Sequence, residues 1–151
     1  MSKEIMEALK LLHRPTLKVM LDDGAYLPLR AHEFDAGADL MSRETVTISA
    51  HGMHFFDTGV HIETPAGFVT KVENRSSMFK RGIVTTGVVD CGYTGSIGVT
   101  VWNMSDEDYV VRDGDKIAQL VVYPISLPEF EIVDELEETE RGNNGFGSTG
   151  C

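Results

Sequence analysis

Cysteine is almost missing from this chain: Cys91 and Cys151 are the only two in 151 residues. Two thiols exclude a disulfide framework. Cations are also outnumbered, with 13 Lys and Arg against 24 Asp and Glu and a net charge of −11. That balance argues against a general nucleic-acid surface or an anionic-membrane surface. Any polyanion bound here must be met by a few local cations or by a metal. No apolar run approaches the ~20 residues of a membrane span, and no signal-peptide pattern opens the chain. The expectation is a soluble, cytoplasmic protein that binds neither nucleic acid nor membrane. The five histidines are scattered, and His51-x-x-His54 has no cysteine nearby, so zinc is not expected.

What the chain does have is a series of short, β-branched runs. "TLKVML", "ETVTIS", "GVHIET", "GFVTKVE", "DYVVRDGD" and "IAQLVVYPI" are separated by Gly, Asp, Asn or Pro at roughly 8 to 12 residues. Alternation is clearest in "SIGVTVWN" (96–103), where Ile97, Val99 and Val101 share one face. This spacing predicts an all-β fold, a jelly-roll-like sandwich or barrel. Only "SKEIMEALKLLH" has helical spacing, with Ile5, Leu9 and Leu12 on one side, which predicts a short helix over about 2–13. The length fits one domain. Its body is expected over 1–138, followed by a tail over 139–151. The acidic run "DELEETE" (134–140) reads as the solvated start of that tail.

Five places break the apolar pattern with polar residues. "DAGADL" (35–40) sets Asp39 among small residues that permit close backbone approach. "NRSSMFKRG" (74–82) offers a guanidinium, two hydroxyls and backbone N–H groups, all suited to phosphate oxygens. "GVVDCGYTGSI" (87–97) reads as a hairpin with Asp90-Cys91-Gly92 near its turn and Tyr93 just after. In "GDKIAQLVV" (114–122) the amide of Gln119 interrupts an apolar strand, either satisfied by a neighbouring strand or aimed at a ligand. "RGNNGFGSTGC" (141–151) ends the chain with one cation, one aromatic ring and hydroxyls among glycines. With little apolar surface and much backbone entropy to lose, it should be flexible.

In this order and at these separations, the five segments resemble the motifs of the trimeric all-β dUTPase (dUTP diphosphatase) family. The likeness runs from about residue 17 to 150 and omits the N-terminal helix. Asn74 stands where many members carry Pro, and Ser77 and Gly92 stand where Gly and a second acid are frequent.

The resemblance implies hydrolysis of dUTP to dUMP and pyrophosphate with Mg²⁺, in a homotrimer whose sites are shared between chains. Asp90 is then the base over the attacking water, and Asp39 supports the metal indirectly, through its water shell. Arg75, Ser76 and Ser77 would meet the phosphates, as would Gln119. Uracil would pair with the main chain around Gly87, Val88 and Val89. Tyr93 would lie beneath the deoxyribose and exclude a 2′-hydroxyl. The tail would close as a lid over a neighbouring site, with Arg141 on the γ-phosphate, Phe146 stacked on uracil, and Gly147 and Ser148 around the remaining oxygens. Two alternatives on the same fold are a dCTP deaminase-like enzyme and a non-catalytic nucleotide-binding regulatory module. The first needs an acid/base beside the pyrimidine, usually Glu, and no Glu occurs between Glu73 and Glu107. The second would be signalled by loss of Asp90 or the tail, and both are present.

Overall fold

The strand Ser96–Asn103 (β8) follows its sequence pattern closely: Ile97, Val99, Val101 and Asn103 are buried and Gly98 and Trp102 are exposed. The computed structural model describes residues 2–10 and 15–145 of the chain. Around β8 lies a four-stranded sheet in the order β1-β4-β8-β6, with β1 at Lys18–Leu21, β4 at Met53–Glu63 and β6 at Ile83–Val84. The second sheet runs β2-β10-β5-β7, formed by Ala38–Met41, Lys116–Pro124, Phe68–Glu73 and Gly87–Val89 respectively. A small sheet pairs β3 (Val46–Ile48) with β9 (Tyr109–Val111). This is the expected all-β, jelly-roll-like sandwich.

Leu40, Ile48, Phe56, Val72, Val99 and Leu120 are among the side chains of the shared core. Each such side chain contributes about 1.5–3 kcal/mol relative to exposure. Among the described residues two helices accompany the strands: α1 at Lys3–Lys10 and a single turn, α2, at Ser76–Phe79. The expected helix over 2–13 is thus seen as Lys3–Lys10, and residues 11–14 lie outside the described residues. Ile5 on α1 is exposed.

Two expectations need correction. "GVHIET" is not a separate strand but the second half of β4, whose register shifts between Asp57 and His61. Asp57-Thr58-Gly59 reads as a turn yet forms a bulge, with Gly59 at φ 66°. The positive φ favours glycine there, and a Cβ would also press on the Arg43 guanidinium at 2.8 Å. The second correction concerns residues 87–97. They form no hairpin, because β7 pairs with β5 and β8 pairs with β4 and β6. The intervening segment crosses from one sheet to the other.

From Ile125 to Gly145 the chain has no helix or strand, and Phe130 and Ile132 are 98% and 99% exposed.

Candidate active site

Small residues bring β2 close to β10. Gly37 packs against the Gln119 side chain so closely that a Cβ would collide with its amide oxygen. Asp39 lies opposite Gln119, and Gln119 lies opposite Glu73 on β5. The segments around Asp39, Gln119 and Arg75 therefore meet at one end of one sheet.

Asp39 is buried to 9% exposure and holds two cations. Arg75 Nε donates to its Oδ1 at 2.8 Å, and Lys116 Nζ lies 2.7 Å from its Oδ2. One carboxylate against two cations leaves this corner positive, in a chain that is otherwise strongly acidic.

Arg75 has an extended backbone (φ −83°, ψ 134°) just before α2. Its carbonyl receives the N–H groups of Met78 and Phe79 at 3.0 Å, and buried Met78 pins the helical turn to the core. Ser76 and Ser77 remain exposed beside it. Asn74 explains its own presence. Its Nδ2 donates to the Ile83 carbonyl at 3.1 Å, and its Oδ1 accepts from Thr85 N–H at 2.7 Å. Its carbonyl accepts from Gln119 Nε2 at 2.9 Å. Gln119 is thus partly satisfied by a neighbouring strand end. A cavity of about 690 Å³ opens here, lined by Arg75, Ser77, Arg81, Arg112 and Lys116 among others. That volume suits a small ligand with several phosphates.

Gly87, Val88 and Val89 form β7, the edge of its sheet in this chain, so one side of its backbone has no partner strand. Val89 points into the core and Val88 is 64% exposed. Beyond β7, Tyr93 N–H donates to the Asp90 carbonyl at 3.0 Å and closes a β-turn. Asp90 and Cys91 are exposed. The Tyr93 hydroxyl donates to the Ser96 carbonyl at 2.9 Å, folding the ring over Gly95. A Cβ at Gly95 would lie 2.5 Å from Tyr93 Oη. Tyr93 presents its other face to solvent at 48% exposure.

These two groups do not meet within one chain. Val89 is opposite Thr70, which puts Asp90 level with Val69, four residues along β5 from the Gln119–Glu73 level. Four strand steps and two strand spacings separate Asp90 from Gln119 by roughly 16 Å. In the tail, Arg141 is exposed and its Nε donates to the Asn144 carbonyl at 3.2 Å. Phe146, Gly147 and Ser148 lie outside the described residues.

Sequence reasoning passed over Lys116, although it sits inside the "GDKIAQ" segment. A lysine beside a Gly-Asp turn reads as a solvated charge. It also gave Asn74 no task. Its signal was the amide itself, standing where proline has no donor to offer.

The donor set limits what metal could sit here. Both Asp39 oxygens are committed to cations, and no group of three or more His, Cys, Asp or Glu is placed to hold a metal among the described residues. Mg²⁺ fits only as an ion carried mainly by substrate phosphates and water, which is its usual habit.

An all-β sandwich with cations and hydroxyls at one sheet end, and an acid on a separate exposed turn, has the features of a small nucleotide-polyphosphate enzyme. A family model described as dUTPase matches residues 23–150. The chain is 41% identical over 133 residues to the deoxyuridine 5′-triphosphate nucleotidohydrolase of Clostridium novyi, covering 85% of this chain and 94% of the relative. It superposes on the Staphylococcus bacteriophage 80alpha dUTPase, solved with dUpNHpp, with a TM-score of 0.85 and 32% identity. That match covers 91% of this chain and all of the phage chain. A mutant dUTPase of S. aureus phage phi11, described as coordinating a structural Mg(II) ion, aligns with a TM-score of 0.75 and 31% identity over 82% of this chain and 100% of that one. The chain belongs to the dUTPase family, hydrolases of nucleotide metabolism.

Proposed function

We propose that this protein hydrolyses dUTP to dUMP and pyrophosphate, lowering dUTP and supplying dUMP for thymidylate synthesis. Family membership over 23–150, with all five polar segments retained, carries the reading. Asp90 orients a water molecule and takes its proton as the oxygen attacks the α-phosphorus. The bond to the bridging α,β-oxygen breaks, and pyrophosphate leaves in line. Arg75, Ser76, Ser77 and Gln119 hold the phosphates, while Asp39 fixes the cations beside them and would support the water shell of a substrate-borne Mg²⁺ only indirectly. Mg²⁺, when carried in by the substrate, neutralises charge on the triphosphate oxygens.

Uracil pairs with the open edge of β7 at Gly87, Val88 and Val89, where a 5-methyl group would clash with the backbone. Tyr93 fills the volume a 2′-hydroxyl needs. Residues 139–151 act as a lid on a neighbouring site, with Arg141 at the γ-phosphate, Phe146 on the base, and Gly147 and Ser148 around the oxygens. The assembly is a homotrimer with sites shared between chains. It works in the cytoplasm and engages neither nucleic acid nor membrane, in keeping with the net charge of −11. Among the described residues, no helix is long and apolar enough to cross a membrane.

The test is pyrophosphate release from dUTP and Mg²⁺ by the native protein and by Asp90→Asn. The amide keeps the turn and removes the base, so dUTP still binds while turnover falls by ~10²-fold or more. Near-native turnover in the variant would overturn the assignment.

A further inference from the structure

A second polar network surrounds His61 on β4, beside the 90–95 turn. The ring's Nδ1 lies 2.9 Å from the Thr94 carbonyl oxygen, and its Nε2 lies 3.1 Å from Asp22 Oδ1. The side chain is only 19% exposed. Asp22 follows β1, and its own N–H is fixed on the Gly59 carbonyl at 2.9 Å. A carbonyl oxygen only accepts, and so does an ionised carboxylate. Both contacts are therefore made together only when both ring nitrogens carry protons. In a neutral ring the charged Asp22 is the stronger partner for the one remaining N–H, on Nε2, so the lone pair on Nδ1 faces the Thr94 carbonyl.

The charges around the ring come from three places. Asp22 follows β1, Asp57 belongs to the β4 bulge, and Arg43 follows β2. Arg43 Nη2 is 2.6 Å from Asp57 Oδ2, and its Nη1 is 3.9 Å from Asp22 Oδ2. From β8 comes uncharged Ser96, opposite His61 in register, whose hydroxyl is hydrogen-bonded to Asp57. From β1 comes Met20. The Thr94 carbonyl hydrogen bond, aided by Asp22 and Asp57, raises the imidazole pKa above its ordinary 6.5. Asp57 moves the other way. The Ser96 hydroxyl, the Gly59 N–H and Arg43 hold it below the usual carboxylate value, so it stays ionised while His61 titrates.

We propose that His61 is a positioning residue whose charged ring latches the 90–95 turn to β4. The inference rests on reading that turn as the base- and sugar-binding element. The consequences follow from geometry. Thr94 adjoins Tyr93, and Tyr93 is anchored on the next strand through the Ser96 carbonyl. Releasing the Thr94 carbonyl slackens the segment that sets the ring over Gly95. The raised pKa fixes the direction: the latch is closed at low pH and opens as pH climbs through the raised value, above 6.5.

Amide hydrogen exchange of residues 90–95, corrected for intrinsic rates, tests the latch without substrate. From about pH 6 to about pH 9, native protection should fall about fivefold, while His61→Gln should show a flat profile. Asp22→Asn removes the carboxylate that favours the charged ring, so its transition should move to lower pH. In parallel, KM for dUTP and the dUTP/UTP preference should follow native protection and lose that dependence in His61→Gln. Titration of the substrate's terminal phosphate is common to both proteins and cancels in the comparison. Superimposable protection profiles for native protein and His61→Gln would overturn the latch. Profiles that differ as expected while KM stays unmoved would leave the latch standing and overturn the reading of the turn as nucleotide-binding.

Discussion

Asp90→Asn and Arg75→Gln should each abolish turnover, yet the two inactive proteins should restore activity when assembled together. The reason is the roughly 16 Å that separates Asp90 from Gln119 within one chain. A base must stand within about 3 Å of the proton it takes, or one water away. Ser76 is farther still, because it lies past the end of β5. No single chain can close that gap without unpairing β7 from β5. On the proposed shared-site reading, a working site takes the Arg75 group from one protomer and the Asp90 turn from another. In a closed ring of three, every mixed trimer then has one competent site in three. Counting the pure trimers as well, random 1:1 assembly restores about a quarter of native sites. Arg75→Gln suits the experiment because Lys116 still pairs with Asp39. The assay is pyrophosphate release from trimers carrying two different tags and purified through both, in which about a third of native sites should work. Background activity in demonstrably mixed trimers, or a monomeric mass in solution, would refute the shared-site geometry while leaving Asp90 as the base.

Gly95→Ala places a methyl group 2.5 Å from Tyr93 Oη and must swing the ring away. The preference for dUTP over UTP should fall by about tenfold with the circular dichroism spectrum unchanged, and an unaltered ratio would contradict the steric role of Tyr93. Asn103 is 1% exposed, and its Nδ2 serves the carbonyls of Ile48, Ser49 and Glu107 while its Oδ1 accepts from Ser105. Asn103→Ala leaves those groups unpartnered and should cost about 3 kcal/mol, or about 10 °C in Tm. A loss under about 1 kcal/mol in a denaturant melt would show that the network is not holding β8 to the β3 end and the 104–108 turn.

The strands were legible wherever side chains alternate, because burial on one face leaves a period of two in the sequence. β8 is the clear case. Legibility failed at Asp57-Thr58-Gly59, where three turn-prone residues build a bulge whose partners, Arg43 and Ser96, are remote in sequence. It failed again at residues 87–97, because neighbouring β-runs usually pair and these two belong to different sheets. The candidate site divides in the same way. Asp39, Arg75, Gln119, Asp90 and Tyr93 stood out as polar residues in apolar surroundings. The hold of Asp39 on Arg75 and Lys116 could not be read, since it depends on the β2–β10 register and its bulge between Lys116 and Ala118. Nor could the gap between Asp90 and the phosphate-facing corner, which is a distance across two strands.

The crossing of residues 90–95 has a further consequence. Because Val89 is rooted in one sheet and Ile97 in the other, the span between the two ends of this segment is set by the thickness of the core between them. Filling or thinning that layer, with no change to any polar residue, would alter the reach of the segment that bears Asp90 and Tyr93. Drift in interior side-chain volume and drift in reaction rate would then be linked traits, and the turnover of a repacked variant could serve as a gauge of its intersheet spacing.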